Sequence, residues 1–242
     1  MHALQAYAKI NFKKSEATIG IMPFKSQNQR ITPLVILAGI LFLWPVCRKA
    51  STHTEVQNPY QKDYVFTEDW FTHKIPLWEK TLKSIKGKPN ICYLEIGIYE
   101  GRSLLWMLEN ILTHPTARAT AIDIFPDNLE ERFLANLKLS GLADKVKVIK
   151  DRSQIRLRNL PFESFDVVYI DGSHVAKDVL TDAVLSWDLL RDEGFIIFDD
   201  YKWRRDLPLV KRPKLAIDSF IENFGPDLEV IHHGSQVVIQ KF

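Results

Sequence analysis

The chain of 242 residues is poor in cysteine, with only Cys47 and Cys92, so no disulfide framework holds it together. Neither cysteine has the spacing of a metal ligand. No internal repeat is evident, which excludes solenoid and propeller architectures. No charge of one sign dominates, since the net charge is +2. That balance hides an asymmetry: residues 1–59 carry seven basic against two acidic residues, and residues 60–242 carry 25 against 28. A mildly acidic body is poorly suited to follow a nucleic-acid backbone, and nucleic acid is not expected as a partner.

One long apolar run is present, residues 31–47, bracketed by Pro33 and Pro45 and flanked by Lys25, Arg30, Arg48 and Lys49. Its 17 residues are at the lower limit for a membrane-crossing helix. The expected organisation is a basic N-terminal extension over 1–30, an apolar anchor or signal-like segment over 31–47, a linker over 48–64 and one domain over 65–242. A secretory signal starting at Met22 and an amphiphilic helix packed on the domain are the alternatives. The membrane attachment expected here is a transmembrane helix through 31–47.

Within the domain the pattern alternates. A helix is expected over 68–85, capped by Thr67 and kinked at Pro76. Strands follow at 91–96, 119–125 and 146–150, separated by helices at 102–112 and 128–139. Two apolar runs, ending in Ile170-Asp171-Gly172-Ser173-His174 and Phe198-Asp199-Asp200, enclose a helical pattern over 176–190. A helix over 213–224 starts at Pro213 and stops before Gly225. The last two runs, 228–231 and 236–239, are too close for anything but an antiparallel hairpin. Alternating β/α units ending in a hairpin predict an α/β, doubly wound sheet with an antiparallel strand at its edge.

Strand, helix and strand make a right-handed crossover, so the strands ending at Asp171 and Asp199 are parallel. As sheet neighbours they would lie roughly 4.8 Å apart. Asp171, Asp199 and Asp200 would then meet at one carboxyl edge, where open α/β sheets keep their ligands. Three carboxylates so close repel unless a cation or protons compensate them. Capping of a helix or loop is the other reading of Asp199 and Asp200. The first strand ends Glu95-Ile96-Gly97-Ile98-Tyr99-Glu100-Gly101-Arg102-Ser103. Gly97 and Gly101 permit a sharp turn and close approach of a ligand, but their spacing is not G-x-G-x-x-G, which argues against a nicotinamide site. Asp123 ends the second strand, where an acid commonly takes a ribose hydroxyl pair or caps a helix. Lys150-Asp151-Arg152-Ser153 ends the third.

Together, Leu94-Glu95-Ile96-Gly97 with Gly101-Arg102-Ser103, the 170–174 phrase and Phe198-Asp199-Asp200 resemble the class I S-adenosylmethionine-dependent methyltransferases. The closer resemblance is to macrolide-sugar O-methyltransferases and cephalosporin-hydroxylase-like proteins, the methyltransferase family 24 type. The resemblance covers roughly residues 90–242. It implies a Rossmann-like seven-stranded sheet of order 3-2-1-4-5-7-6 with strand 7 antiparallel. It further implies that Glu95, Gly97, Gly101 and Ser103 line the methionine end of S-adenosylmethionine. Asp123 would hold the ribose, and Asp151 and Ser153 would border the adenine. Asp171, Asp199 and Asp200 would bind a divalent ion, Mg²⁺, because all-oxygen ligands suit a hard cation. The ion would clamp an acceptor hydroxyl. His174 is placed to take its proton, unless it is a helix-start histidine bonded to a neighbouring carboxylate.

Tyr201 and Trp203, in the loop that follows, are expected to meet the acceptor, a small molecule or glycoconjugate. Lys202, Arg204 and Arg205 could meet an anionic group or form a solvated basic loop. His232 and His233, on the hairpin turn, are expected far from the carboxylate edge. Two rivals stay open: a cephalosporin-hydroxylase-like protein, which shares the fold and carboxylates, and a non-catalytic nucleotide-binding or interaction domain, in which the carboxylates only cap. Because S-adenosylmethionine is made in the cytosol, the expected location is a membrane-anchored protein with a cytosol-facing domain, or a cytoplasmic one if 31–47 is no anchor.

Overall fold

The computed structural model describes residues 63–242. The elements run α1 (Ile75–Thr81), β1 (Cys92–Ile96), α2 (Arg102–Asn110), β2 (Arg118–Asp123), α3 (Leu129–Ser140), β3 (Val146–Lys150), α4 (Ser153–Arg156), β4 (Phe165–Ile170), α5 (Ala176–Leu189), β5 (Leu190–Phe198), α6 (Pro213–Phe224), β6 (Leu228–His233) and β7 (Val237–Lys241). One seven-stranded sheet has the order β3-β2-β1-β4-β5-β7-β6. The first five strands are parallel, and β7 is antiparallel to both β5 and β6. This is the Rossmann-like order that the resemblance implied.

Alternation along the buried strands feeds two cores, as a pleat of period two requires. Tyr93, Ala119, Ala121, Val167, Tyr169 and Val238 join Trp78, Leu104, Leu108 and Phe133 of α1, α2 and α3 on one face. Leu94, Ile96, Val168, Ile170, Ile196 and Phe198 join Val179, Trp187, Ile217 and Phe220 of α5 and α6 on the other. A sheet covered on both faces explains why β4 and β5 read as continuous apolar runs.

The N-terminal part of the domain departs from expectation. The helix expected over 68–85 shrinks to α1, with single 3-10 turns at Thr72–Lys74 and Leu82–Ser84. Asp69, not Thr67, caps this region: its Oδ1 accepts from the Phe71 and Thr72 amides at 3.2 and 2.9 Å. Thr67 instead gives its amide and hydroxyl to the Glu100 carboxylate, at 2.6 and 2.7 Å. Pro76 sits in the first turn of α1, where its missing N–H costs nothing, and so it starts the helix and does not kink it. Residues 63–74 therefore form a strap tied to the β1–α2 turn.

Among the described residues no helix is long and apolar enough to cross a membrane. This corrects the membrane-spanning helix expected from the sequence. The apolar segment 31–47 that carried the expectation lies outside the described residues, as do the extension 1–30 and linker residues 48–62.

Candidate active site

The carboxyl ends of the parallel strands open, under the strap, into a cleft of about 800 Å³, within the range of small-ligand sites. Its floor is the β1–α2 turn. The Gly97 amide donates to the Ile122 carbonyl at 2.9 Å, and the Asp171 amide to the Ile96 carbonyl at 2.8 Å. This stitching presses the β1 turn onto the β4 turn. Gly97 has φ +86°, and a Cβ there would lie 2.2 Å from the Asp171 carbonyl oxygen. Only glycine fits that crossing. Gly101 (φ +88°) plays another part: a Cβ would meet the Phe133 ring at 2.7 Å. It faces α3 and does not line the cleft, contrary to the expected cofactor contact.

Glu95 also departs from expectation. It is fully buried beneath the floor, taking the Tyr93 hydroxyl at 2.7 Å and the Ser103 hydroxyl. Burial pushes its pKa up to about 8, against the two hydroxyl bonds that pull it down. Ser103, above it, lines the cleft. Asp123 lines it too, and its carboxylate ties down the floor: Oδ2 accepts from the Ile98 and Tyr99 amides at 2.6 and 3.1 Å, and Oδ1 from the Phe125 amide at 2.7 Å.

At the β3 end, the hydrogen bond from the Arg152 amide, then Arg156, holds the Asp151 carboxyl below its usual range. Ser153 and Gln154 line the cleft beside it. Behind them is Asp182 of α5, a buried acid that the sequence reading missed. It accepts from Gln154 Nε2 at 3.0 Å, and burial raises its pKa to about 7.

The other half of the cleft carries the acid cluster. Asp171, His174 and Asp200 each offer a ligand atom, and these atoms lie within 4.8 Å of one another, a spacing one cation can bridge. His174 Nε2 is 2.7 Å from Asp200 Oδ2. The imidazole stacks on the Trp203 indole, ring centres 4.4 Å apart and planes at 28°. Asp200 is held at φ +57°, its amide bonded to Asp199 Oδ1 at 2.8 Å and its carbonyl accepting the Trp203 amide at 2.9 Å. Burial, then the neighbouring charge of Asp199, pushes the Asp171 carboxyl well above the usual range, while Lys74 works against them. The Tyr169 hydroxyl donates toward both Asp171 and Asp199.

Asp199 was expected beside Asp171 and Asp200 as a metal ligand. It points instead to Lys74 of the strap and stands outside the trio. Lys74 is a surface lysine by composition and periodicity, so no sequence signal marked it. Tyr201 is a second displacement. It is buried, bonds Asp218 Oδ1 at 2.9 Å and carries the Lys214 ammonium over its ring, so it belongs to the α6 packing and not to the cleft wall. Trp203 does line the cleft.

The hairpin turn lies closer than expected. Because β6 runs parallel to β5, its turn reaches the carboxyl edge: the Tyr201 amide donates to the Ser235 carbonyl at 3.0 Å, and Ser235 lines the cleft. His233 packs edge-on against the Tyr201 ring, 4.5 Å between centres.

The fold and this edge define a class I, S-adenosylmethionine-dependent methyltransferase. A family model described as a methyltransferase domain, of the family 24 type, matches residues 94–201, and the chain belongs to that family. An uncharacterised protein, R132, of Acanthamoeba polyphaga mimivirus is 30% identical over 161 residues, which are 62% of this chain and 71% of the relative. An O-methyltransferase from Bacillus cereus, solved with S-adenosylhomocysteine, superposes with a TM-score of 0.56 at 18% identity, covering 74% of this chain and 84% of that one. MycE, a methyltransferase of the mycinamycin biosynthetic pathway solved with Mg and S-adenosylhomocysteine, gives 0.53 at 16% identity, over 72% of this chain and 51% of that one.

Proposed function

We propose that the protein transfers a methyl group from S-adenosylmethionine to a hydroxyl oxygen of a small-molecule or glycoconjugate acceptor, with His174 as the general base and a divalent ion, Mg²⁺, as an aid. The observation that carries this reading is the His174–Asp200 pair opening into the same cleft as the Gly97 turn and Asp123. The cofactor supplies an electrophilic methyl on a sulfonium centre. Its half of the cleft would be the Gly97 turn and Ser103 at the methionine end, Asp123 at the ribose and Asp151 to Gln154 at the adenine. Asp123 spends part of its acceptor capacity on backbone amides, and a carboxylate has about four acceptor sites, so capacity remains for ribose hydroxyls.

When His174 Nε2–H donates to Asp200, Nδ1 is left as the basic nitrogen. Asp200 and the Trp203 face fix the ring plane, which confines the proton acceptor to one direction. In the transfer, the acceptor oxygen forms its bond to the methyl carbon as the carbon–sulfur bond breaks. The acceptor's proton ends on His174. Asp171 and Asp200 are the carboxylates suited to hold Mg²⁺, which typically takes one or two carboxylates with water and substrate. Such an ion would lower the pKa of a bound hydroxyl. The shared fold with the O-methyltransferase from Bacillus cereus supports O-methylation as the reading.

Calorimetry of the full chain with S-adenosylmethionine, with and without Mg²⁺, tests this reading. Saturable one-to-one binding is expected, followed by release of S-adenosylhomocysteine when hydroxylated acceptors are screened. Absence of cofactor binding would overturn it.

A further inference from the structure

The charge balance of the cluster turns on a residue from outside the sheet edge. Lys74 ends the strap, and its ammonium pairs with Asp199 Oδ2. Their side chains are 10% and 2% exposed. Asp199 is held at both oxygens: the Tyr169 hydroxyl also donates to Oδ2, and the Asp200 amide donates to Oδ1. One turn on, Trp78 is fully buried, donates Nε1–H to Gln236 Oε1 at 3.0 Å and packs edge-on against Tyr169 at 4.9 Å. The body of α1 is thereby clamped to β4 and to the residue that precedes β7. A buried charge pair of this kind is costly to break by removing one partner, since the other stays behind uncompensated.

We propose that Lys74 sets the cation affinity of this site: by ion-pairing Asp199 it withdraws that carboxylate from the ligand set and restricts a divalent ion to Asp171 and Asp200, with His174 beside them. The inference rests on the reading of those groups given above. Two carboxylates and solvent make a hydrated, exchangeable Mg²⁺-type site. They also leave His174 available as a base. A third carboxylate would make a tighter, more highly charged one, because affinity in oxygen sites rises with the number of charged ligands.

The test is a Mn²⁺ titration of the full chain, followed by electron paramagnetic resonance of the free ion, with S-adenosylhomocysteine binding measured by calorimetry on the same samples. Lys74→Met frees Asp199 and is expected to bind Mn²⁺ at least about tenfold tighter than wild type. Lys74→Arg should stay near wild type, and Lys74→Met combined with Asp199→Asn should return to it. Should Lys74→Met fail to fold, Lys74→Gln is read the same way. Unchanged or weaker Mn²⁺ binding in the single variant, tight binding retained in the double variant, or no Mn²⁺ binding by any form would each overturn the proposal. The S-adenosylhomocysteine titration reports separately on the transferase reading: cofactor binding with an unaltered metal response removes the role of Lys74 alone.

Discussion

Replacing Glu95 by glutamine should stabilise the protein, and increasingly so as the pH rises. Glu95 lies buried between the Tyr93 and Ser103 hydroxyls, with its pKa near 8 against an ordinary 4.5. A raised carboxyl keeps its proton in the folded state after the unfolded chain has lost it. Between those two values, folding therefore takes up a proton and stability falls with pH, by about 1.4 kcal/mol per pH unit. Summed over the whole interval, the cost is on the order of 4–5 kcal/mol above pH 8. Glutamine keeps the shape and one acceptor, and both hydroxyls can rotate to suit its amide, but it has no proton to lose. Urea unfolding of wild type and Glu95→Gln at pH 5.5 and 7.5 isolates the effect, because other titrating groups cancel in the difference. The advantage of the variant should grow by roughly 2–3 kcal/mol between those pH values. A difference that is flat with pH, or that shrinks, would refute the buried, protonated Glu95.

Gly97→Ala should destabilise the fold by more than about 3 kcal/mol and abolish S-adenosylhomocysteine binding, because its Cβ would meet the Asp171 carbonyl at 2.2 Å and its φ is positive; urea melts and calorimetry check both. Asp123→Asn should weaken S-adenosylhomocysteine binding by about tenfold or more, the worth of a hydrogen bond to a charged group; an unchanged Kd would remove the ribose role. Trp203→Ala should lower kcat up to about 100-fold through loss of His174 orientation, while Trp203→Phe keeps most of the rate; equal losses in the two would dismiss the stacking argument. Asp182→Asn should gain stability over wild type between about pH 4 and 7, and hold that gain above pH 7, for the same reason as Glu95→Gln, since burial raises Asp182 to about 7; parallel pH profiles for variant and wild type would count against it.

Much of the architecture was legible because it is written in short-range patterns. The runs ending at Asp171 and Asp199, with a helix of right length between, dictate parallel strands, and handedness rules leave few alternatives. The 213–224 helix, started by Pro213, matched to the residue. Misreadings fell where a backbone or side chain had a competing partner. Thr67 looked like a cap and went to Glu100, since the strap offers its amide and hydroxyl to the same carboxylate. Gly101 looked like a ligand-approach glycine and serves the ring of Phe133, 32 residues away. Tyr201, two residues before Trp203, turns into the α6 packing while Trp203 turns to the cleft.

The sequence by itself determined the alternating α/β layers and the placing of Asp123, Asp171 and Asp200 at or just past the carboxyl ends of parallel strands. Those follow from periodicity and chain direction, which act over a few residues. Which of the gathered groups remain available was decided by tertiary structure alone. Lys74, 125 residues from Asp199, is brought to it by the docking of α1 through Trp78 and of the strap through Thr67, and the partner of a buried charge is set by the three-dimensional packing that excludes water around it.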